Sequence, residues 1–448
     1  PDPFHFEENE FGMAFEANGL DIDYLGELPM ARSTSGKFRM TDRHLTVEVI
    51  KGQIPLPSGK LLAAADGTFE IDDTAKKPLM GSLKIAALGD ASAAAEYVSF
   101  KPIAATAKMP FAPGDLAGKL KANVSAVFGL NPSQNPPKPI WGASLSLDDV
   151  DVAKPIEGRK VGNINGLLKI DSAVAALDGK ADIDGIGFDI KLSQPITGDV
   201  TTREWEASGD LSEAQVLKFA PALEPYLKGG VNLTIKATKE GQRATVGLRD
   251  AALSIPFINW RKGSGVTASA EFVMAAKDGQ TRITDFSLEG EGFGAKGEML
   301  IDKRGLVSGK FSRVKLSPAD NFAIALQRRS GGLSIDVTGS SIDAKPFISQ
   351  AKSSGGGEVE EKTSNLITAQ IDKAVGYNKE TLRGLDLKLV TSSGRISTLT
   401  LSGVTSSEQA LVIRKDTDSG AMEITSWRGG AIRRSLPQHE WRPTQHYP

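Results

Sequence analysis

Residues 266–274 read Val-Thr-Ala-Ser-Ala-Glu-Phe-Val-Met, and this stretch decides the fold class. Apolar side chains occupy every second position, and the residues that separate them are mostly polar. The apolar set is Val266, Ala268, Ala270, Phe272 and Met274. Successive side chains of a strand point to opposite faces, so the pattern predicts a strand with one apolar and one solvated face.

The same alternation recurs from about residue 30 to about residue 425. It is clearest at residues 45–49, 120–128, 186–192, 333–337 and 385–389. Parallel strands buried on both faces would instead read as continuous apolar runs. We therefore predict a mostly β protein, built as a long antiparallel meander of roughly 25 strands at the usual strand-and-turn spacing.

Short turn motifs separate the alternating segments. Asp-Gly pairs stand at residues 66–67, 178–179, 184–185 and 278–279, and each predicts a type I′ hairpin turn. Glycine-containing turns are also expected at residues 303–305, 330–332 and 393–394. Strand is therefore expected to follow strand through tight connections.

Few helices are expected. Asp210 and Glu213 resemble a capping box, and apolar residues at helical spacing follow them. Pro221, Pro225 and the glycine pair at 229–230 keep this helix short, within about residues 210–228. A second short helix is expected over residues 91–98.

Composition suggests where the chain divides. The proline-rich segment 131–138 and the glycine- and serine-rich segment 349–364 separate β regions at 1–130, 139–348 and 365–426, the second of which holds the helix near 210–228. Residues 427–448 lack the alternation and form either a disordered tail or sequence read out of frame. The chain starts at Pro1 without a signal sequence, so we expect a preceding segment that carries any targeting signal.

The residue counts exclude several classes of site. The 448 residues include no Cys and only four His, which excludes disulfides, Cys-ligated metals and a catalytic thiol. A net charge of −2 gives no electrostatic case for nucleic acid as a partner. No run of about 18 apolar residues is present, so no transmembrane helix is expected in this chain.

No motif predicts catalysis or a cofactor. The glycines at 292, 294 and 297 match a dinucleotide-binding pattern, but that pattern needs a following helix, and Glu298–Asp302 is typical of a strand. A glycine-rich strand that another backbone approaches closely is the better interpretation. We therefore expect neither an enzyme nor a bound cofactor.

Several segments, taken in order, resemble the AsmA-like superfamily. They are residues 23–29 with 36–38, residues 51–71, residues 288–297 and residues 335–346. The nearest resemblance is to its YhdP-like central domain, a relative of TamB, over about residues 10–425. Each segment alone is a common strand-and-turn pattern, so the resemblance depends on their order.

The resemblance implies a long curved antiparallel sheet whose apolar side forms an elongated groove. It also implies a periplasmic protein of diderm bacteria, held in the inner membrane by an anchor absent from this chain. Such a protein would bind phospholipid, or another acyl-chain lipid, and convey it towards the outer membrane. The family has no catalytic residues to assign here.

Eight alternating apolar residues are the candidates for the lipid groove: Ile186, Phe188, Ile190, Val266, Ala268, Ala270, Phe272 and Met274. The same residues would equally form the core of closed β-sandwiches. The alternative function is accordingly a structural or assembly protein of the envelope, whose closed β-modules bind other proteins.

Overall fold

The computed structural model describes residues 11–24, 26–103, 111–196, 203–255, 260–353, 364–392, 395–415, 421–427 and 431–436. Strands dominate these residues, so the protein is mostly β, as the alternation predicts. The chain divides into two compact units, residues 1–209 and 210–448, which we call the first and second units. This division falls inside the segment 139–348 that composition had suggested as one region.

The strands of the first unit form an antiparallel meander in which each strand pairs with the next along the chain. They are β1 (Gly12–Ile22), β2 (Ala31–Thr41), β3 (His44–Pro55), β4 (Leu61–Ile71), β5 (Met80–Asp90), β6 (Leu116–Gly129), β7 (Ile140–Ile156), β8 (Arg159–Asp171), β9 (Val174–Ile183), β10 (Ile186–Pro195) and β11 (Glu204–Leu211), which ends just past the division.

One helix, α1 (Ala91–Tyr97), connects β5 to β6 and confirms the helix expected over 91–98. It packs on the apolar side of the sheet, where Ala91 joins a buried cluster with Leu120 and Ala122. Ala93, which is fully buried, joins Ile54 and neighbouring residues in a second cluster. The run of small side chains lets the helix approach the sheet closely.

The second unit is a longer meander with one exception to antiparallel pairing. Its sheet contains β13 (Val231–Ala237), β14 (Gln242–Gly247), β17 (Ala268–Lys277), β18 (Gln280–Gly290), β19 (Phe293–Asp302), β20 (Gly305–Lys315), β21 (Asn321–Arg329), β22 (Gly332–Asp343), β23 (Ser364–Val375), β24 (Thr381–Ser392), β25 (Arg395–Thr405), β26 (Ala410–Lys415), β27 (Met422–Trp427) and β28 (Ala431–Leu436). Among the pairs formed by these strands, only β22 and β23 run parallel. A separate small sheet contains β12 (Leu227–Lys228), β15 (Ala252–Ile255) and β16 (Trp260–Lys262).

Helix α2 (Glu213–Phe219) lies where a helix was expected, but its cap differs from the prediction. Ser212, and not Asp210, is the capping residue, and it exchanges hydrogen bonds with Gln215. The Glu213 carboxylate instead accepts a hydrogen bond from the backbone N–H of Gly229 at 2.7 Å. The prediction was wrong because Glu213 binds Gly229, sixteen residues away, and does not cap the start of its own helix.

Helix α3 (Lys345–Ser353) was not predicted. The linker expected over 349–364 therefore begins inside a helix, and residues 354–363 lie outside the described part of the chain. The segment 344–363 carries the chain from the end of β22 to the start of β23. A crossover of this kind is what two parallel neighbouring strands require.

Two of the four Asp-Gly predictions are confirmed and two are wrong. Asp184-Gly185 and Asp278-Gly279 are two-residue hairpin turns with positive φ at both positions. Asp66-Gly67 instead forms a bulge inside β4, and Asp178-Gly179 lies inside β9. Gly179 is needed there because a Cβ atom would lie 2.7 Å from the Cα atom of Gly166 on β8. The turn expected at 393–394 lies outside the described residues.

Two unusual segments have simple places in the fold. The proline-rich residues 131–138 connect β6 to β7, which pair directly, so this segment is a hairpin connection.

In the atypical tail, β28 pairs with β27, while residues 428–430 and 437–448 lie outside the described part of the chain.

Candidate functional site: the apolar faces of the two units

The second unit carries two continuous rows of apolar side chains on one face of its sheet. Residues that pair across neighbouring strands share a face, so the register of the sheet defines the rows. The first row is Met274, Ile283, Met299, Gly309, Leu326, Ile335, Ile367, Leu389 and Leu399. The second row is Ala244, Phe272, Phe286, Gly297, Phe311, Ile324, Val337, Ala369, Leu387, Leu401, Ile413 and Ile424. We call this surface the apolar face of the second unit.

Aromatic contacts complete the second row where a bulge interrupts the pairing of β17 with β18. The ring centroids of Phe272 and Phe286 lie 6.2 Å apart, and those of Phe286 and Phe311 lie 5.9 Å apart at an interplanar angle of 88°. Gly297 lies between β18 and β20 in this row, and its missing side chain leaves room for the Phe311 ring. The row is thus apolar from β14 to β27.

The opposite face of the same strands is polar. On most of these strands, one residue separates the members of the two apolar rows and points to the opposite face. The row formed by these residues, continued to β27, is Glu298, Lys310, Ala325, Asp336, Thr368, Lys388, Thr400, Arg414 and Glu423. The Thr368 hydroxyl donates a hydrogen bond to the Asp336 carboxylate across this face. The sheet of the second unit therefore has one apolar face and one mostly polar face, on which Val273 is buried.

Most side chains on the apolar face are half-buried. A cluster of buried ones lies at one edge, and Ala244 and Ile283 are buried elsewhere on the face. A single buried cluster at this edge contains Val314, Phe322, Ile342 and Ala374, which lie at or near strand ends, together with Ile371. Nearer the other edge, Phe272, Met274, Leu326, Ile335 and Leu389 keep part of their surface accessible. We call the buried edge the closed rim and the opposite edge the open rim.

Two insertions cover the closed rim. The small sheet reaches it through Trp260, whose ring lies 5.1 Å from that of Phe293 at an angle of 67°. The Trp260 indole N–H donates a hydrogen bond to the Leu316 carbonyl oxygen at 2.8 Å. Helix α3 follows β22 at the same edge, where the Ile348 side chain comes within 4.0 Å of the position that a Cβ atom on Gly376 would occupy.

The structure brings the predicted groove residues of β17 onto the apolar face. Ala268 and Ala270 are buried near the closed rim, whereas Phe272 and Met274 are half-buried and nearer the open rim. Val266 precedes the strand, which begins at Ala268, so the alternation had been extended two residues too far. Within β17, accessible apolar surface is therefore concentrated at Phe272 and Met274.

The first unit has its own apolar row, which the register builds in the same way. Its members are Ala64, Ala87, Ala122, Leu145, Leu168, Leu177, Leu192 and Trp205. Ile186 and Phe188, at the start of β10, are buried, and Ile190 is half-buried. These three predicted residues share the face of Leu192, because they are spaced two apart on one strand.

Sequence reasoning missed most of the apolar face. Phe286, Met299, Phe311, Leu326 and Ile424 were not among the candidates, although they continue the rows that Phe272 and Met274 begin. The alternation indicates which side of each strand is apolar. It does not give the register between strands, which is what joins separate stretches into a row.

An ion pair fastens three strands together at the open rim. The Arg328 guanidinium donates two hydrogen bonds to the Asp302 carboxylate, at 2.7 and 2.9 Å, and also binds the carbonyl oxygens of Gly305 and Leu306. These hydrogen bonds hold the pKa of Asp302 well below its usual range. Arg328 is therefore engaged by contacts within the protein.

A buried lysine stabilises the small sheet. Lys262 is 3% exposed, and its ammonium donates hydrogen bonds to the carbonyl oxygens of Leu248, Ala251 and Gly263 at 2.5, 2.6 and 3.2 Å. Burial lowers the pKa of Lys262, and the charge of Asp250 opposes that shift. The contacts are all to backbone carbonyls, which identifies Lys262 as a structural residue.

The described part of the chain contains no group of three or more His, Asp or Glu side chains that could hold a metal ion. The same residues include no helix that is long and apolar enough to cross a membrane. The glycine motif at 292–297 spans a turn and part of β19, so a strand follows it, as predicted.

Comparison with known proteins gives no match to a family model, to a curated protein or to a solved structure.

Proposed function

We propose that this protein binds acyl-chain lipids, with phospholipids as the expected class, along the apolar face and conveys them within the envelope of a diderm bacterium. The observation that supports the proposal is the uninterrupted apolar row from β14 to β27, whose side chains are mostly half-buried. Neighbouring strands lie about 4.8 Å apart, so the row from β17 to β27 extends roughly 50 Å.

A surface of this kind needs a ligand. Large contiguous apolar surfaces are uncommon on proteins that act alone in water, because contact with water is unfavourable at about 25 cal/mol per Å². An acyl chain is flexible, apolar and long, so it can lie across several strands without specific hydrogen bonds. Movement from strand to strand would then replace one set of apolar contacts by an equivalent set.

The alternative is a structural or assembly protein of closed β-modules that bind other proteins. A closed sandwich buries the inner face of each sheet completely against a second sheet. In the second unit, Phe272, Phe286 and Leu326 retain accessible surface, although Ala244 and Ile283 on the same face are buried. This distribution favours an open face over a sandwich core.

The first test is mass spectrometry of lipids extracted from the purified protein, with a mock purification as the control. We expect phospholipid in stoichiometric amount. A folded protein without lipid would contradict the proposal and would favour closed modules that bind protein partners.

A matched pair of variants tests the face directly. Leu326→Glu places a carboxylate on the apolar face, and Ala325→Glu places one on the polar face of the same strand. We expect the first variant to stay folded by circular dichroism and to retain severalfold less lipid, and the second to retain the wild-type amount. Equal lipid content in the two folded variants would contradict binding on this face.

A further inference from the structure

Exposed cations line the open rim of the second unit. The turns at 238–241, 278–279, 303–304 and 330–331 all lie there, because alternate turns of an antiparallel meander share an edge. Five exposed basic residues stand in or beside these turns: Lys239, Lys277, Lys303, Arg304 and Arg329. The open rim therefore presents basic side chains at each of its first four connections.

Few carboxylates offset these cations. Glu240 and Asp278 are the acidic residues within the same turns, and the Asp302 carboxylate is held by Arg328 and also lies 3.7 Å from Arg304. At the closed rim, Lys345 lies 3.7 Å from Asp343 and Arg383 pairs with Glu408. Among the described residues, the first four connections of the open rim thus hold more basic side chains than carboxylates.

The cations border accessible apolar surface at the edge of the sheet. Lys277 and Arg329 end β17 and β21, three residues beyond Met274 and Leu326, so they project from the polar side at the rim where the two faces meet. Turns at the same rim are two strands apart, so they recur about every 10 Å along it. An apolar face bordered by regularly spaced cations fits molecules that have acyl chains at one end and a negative charge at the other.

We propose that the open rim binds the phosphate headgroups of anionic phospholipids whose acyl chains lie on the apolar face. This inference rests on the proposed function, because it assigns the headgroup position for the same ligand. Attraction of anionic headgroups by several Lys and Arg side chains is expected to favour an anionic over a zwitterionic lipid by roughly tenfold at low salt. The preference should decrease as added salt screens the charges.

The test uses the full chain and two lipids with identical acyl chains, phosphatidylglycerol and phosphatidylcholine, presented in vesicles. The rim variant carries Lys277→Glu, Lys303→Glu and Arg329→Glu. The control variant carries Lys310→Glu, Arg313→Glu and Lys388→Glu, which change the net charge equally on the polar face. The lipid bound to protein is measured after separation from the vesicles, and folding is checked by circular dichroism.

We expect the wild type and the control variant to prefer phosphatidylglycerol, and the rim variant to lose that preference while it still binds phosphatidylcholine. A rim variant that keeps the preference would overturn the headgroup assignment, and so would a wild type that binds both lipids equally. Binding of neither lipid by the folded wild type would instead refute the proposed function. Titration with inorganic phosphate separates the two phosphate sources: tight binding of phosphate alone would overturn the lipid assignment.

Discussion

At the scale of single residues, the contact between Asp302 and Arg328 is the clearest electrostatic feature. The Asp302 carboxylate has a lower pKa in the folded protein than in the unfolded chain, where the pKa of Asp is about 3.9. Its contribution to stability is therefore present above the unfolded pKa and is lost as the pH falls towards the folded value. The pair thus makes part of the stability of the second unit sensitive to acid.

Asp302→Asn should destabilise the protein more at pH 7 than at pH 3. The amide cannot form the charged pair at either pH, whereas the wild type loses its advantage as the carboxylate is protonated. Urea unfolding at the two pH values measures the difference. Lys303→Ala, in the adjacent exposed turn, is the control and should change stability by less than about 0.5 kcal/mol. A deficit in Asp302→Asn that is equal at both pH values would contradict the charge-based explanation.

Lys262→Met should destabilise the second unit by about 2 kcal/mol or more, since several buried carbonyl oxygens lose their donor. Methionine keeps the length of the apolar stem and removes only the ammonium group. Chemical unfolding followed by circular dichroism measures the change. Wild-type stability in this variant would show that water replaces the lysine at no cost.

At the scale of elements, the close approach of β19 and β20 depends on Gly297. A Cβ atom at this position would lie 2.4 Å from the Lys310 carbonyl oxygen and 2.8 Å from the Phe311 ring. Gly297→Val should therefore cost about 2 kcal/mol or more, because β20 or the Phe311 ring must move. Gly263→Ala, where the new atom meets open space, is the control, and thermal unfolding measures both. Similar melting temperatures for the two variants would contradict the steric argument.

The sequence predicts elements better than it predicts how they join. Alternation locates strands such as β6 and β10, since it follows from the geometry of a single strand. The Asp-Gly pair at 66–67 misled because a bulge and a hairpin turn require the same positive φ at Asp. Helix α3 was missed because its contacts, Ile348 with Gly376 and Ser349 with Tyr377, join residues 28 positions apart in the sequence. The apolar rows likewise arise only when the register aligns residues from different strands.

At the scale of the whole molecule, burial explains which charge substitutions are informative. Phe188 is 6% exposed, so a charge there should unfold the first unit whether or not lipid binds. Phe272 keeps accessible surface, and a charge there can face solvent when no lipid is bound. Phe272→Glu is thus the variant that separates loss of binding from loss of folding.

The native protein, once stripped of lipid, should bind a hydrophobic dye such as anilinonaphthalene sulfonate. A half-buried apolar face offers the dye a site without unfolding, whereas closed modules would not. Dye fluorescence is to be measured together with a thermal unfolding curve, so that binding to a partly unfolded state is recognised by the loss of a cooperative transition. Added phospholipid should then displace the dye, and Leu326→Glu should bind less dye than Ala325→Glu. The contradicting result is a lipid-free protein that unfolds cooperatively and does not increase the fluorescence of the dye. An accessible apolar face would have to bind an apolar probe.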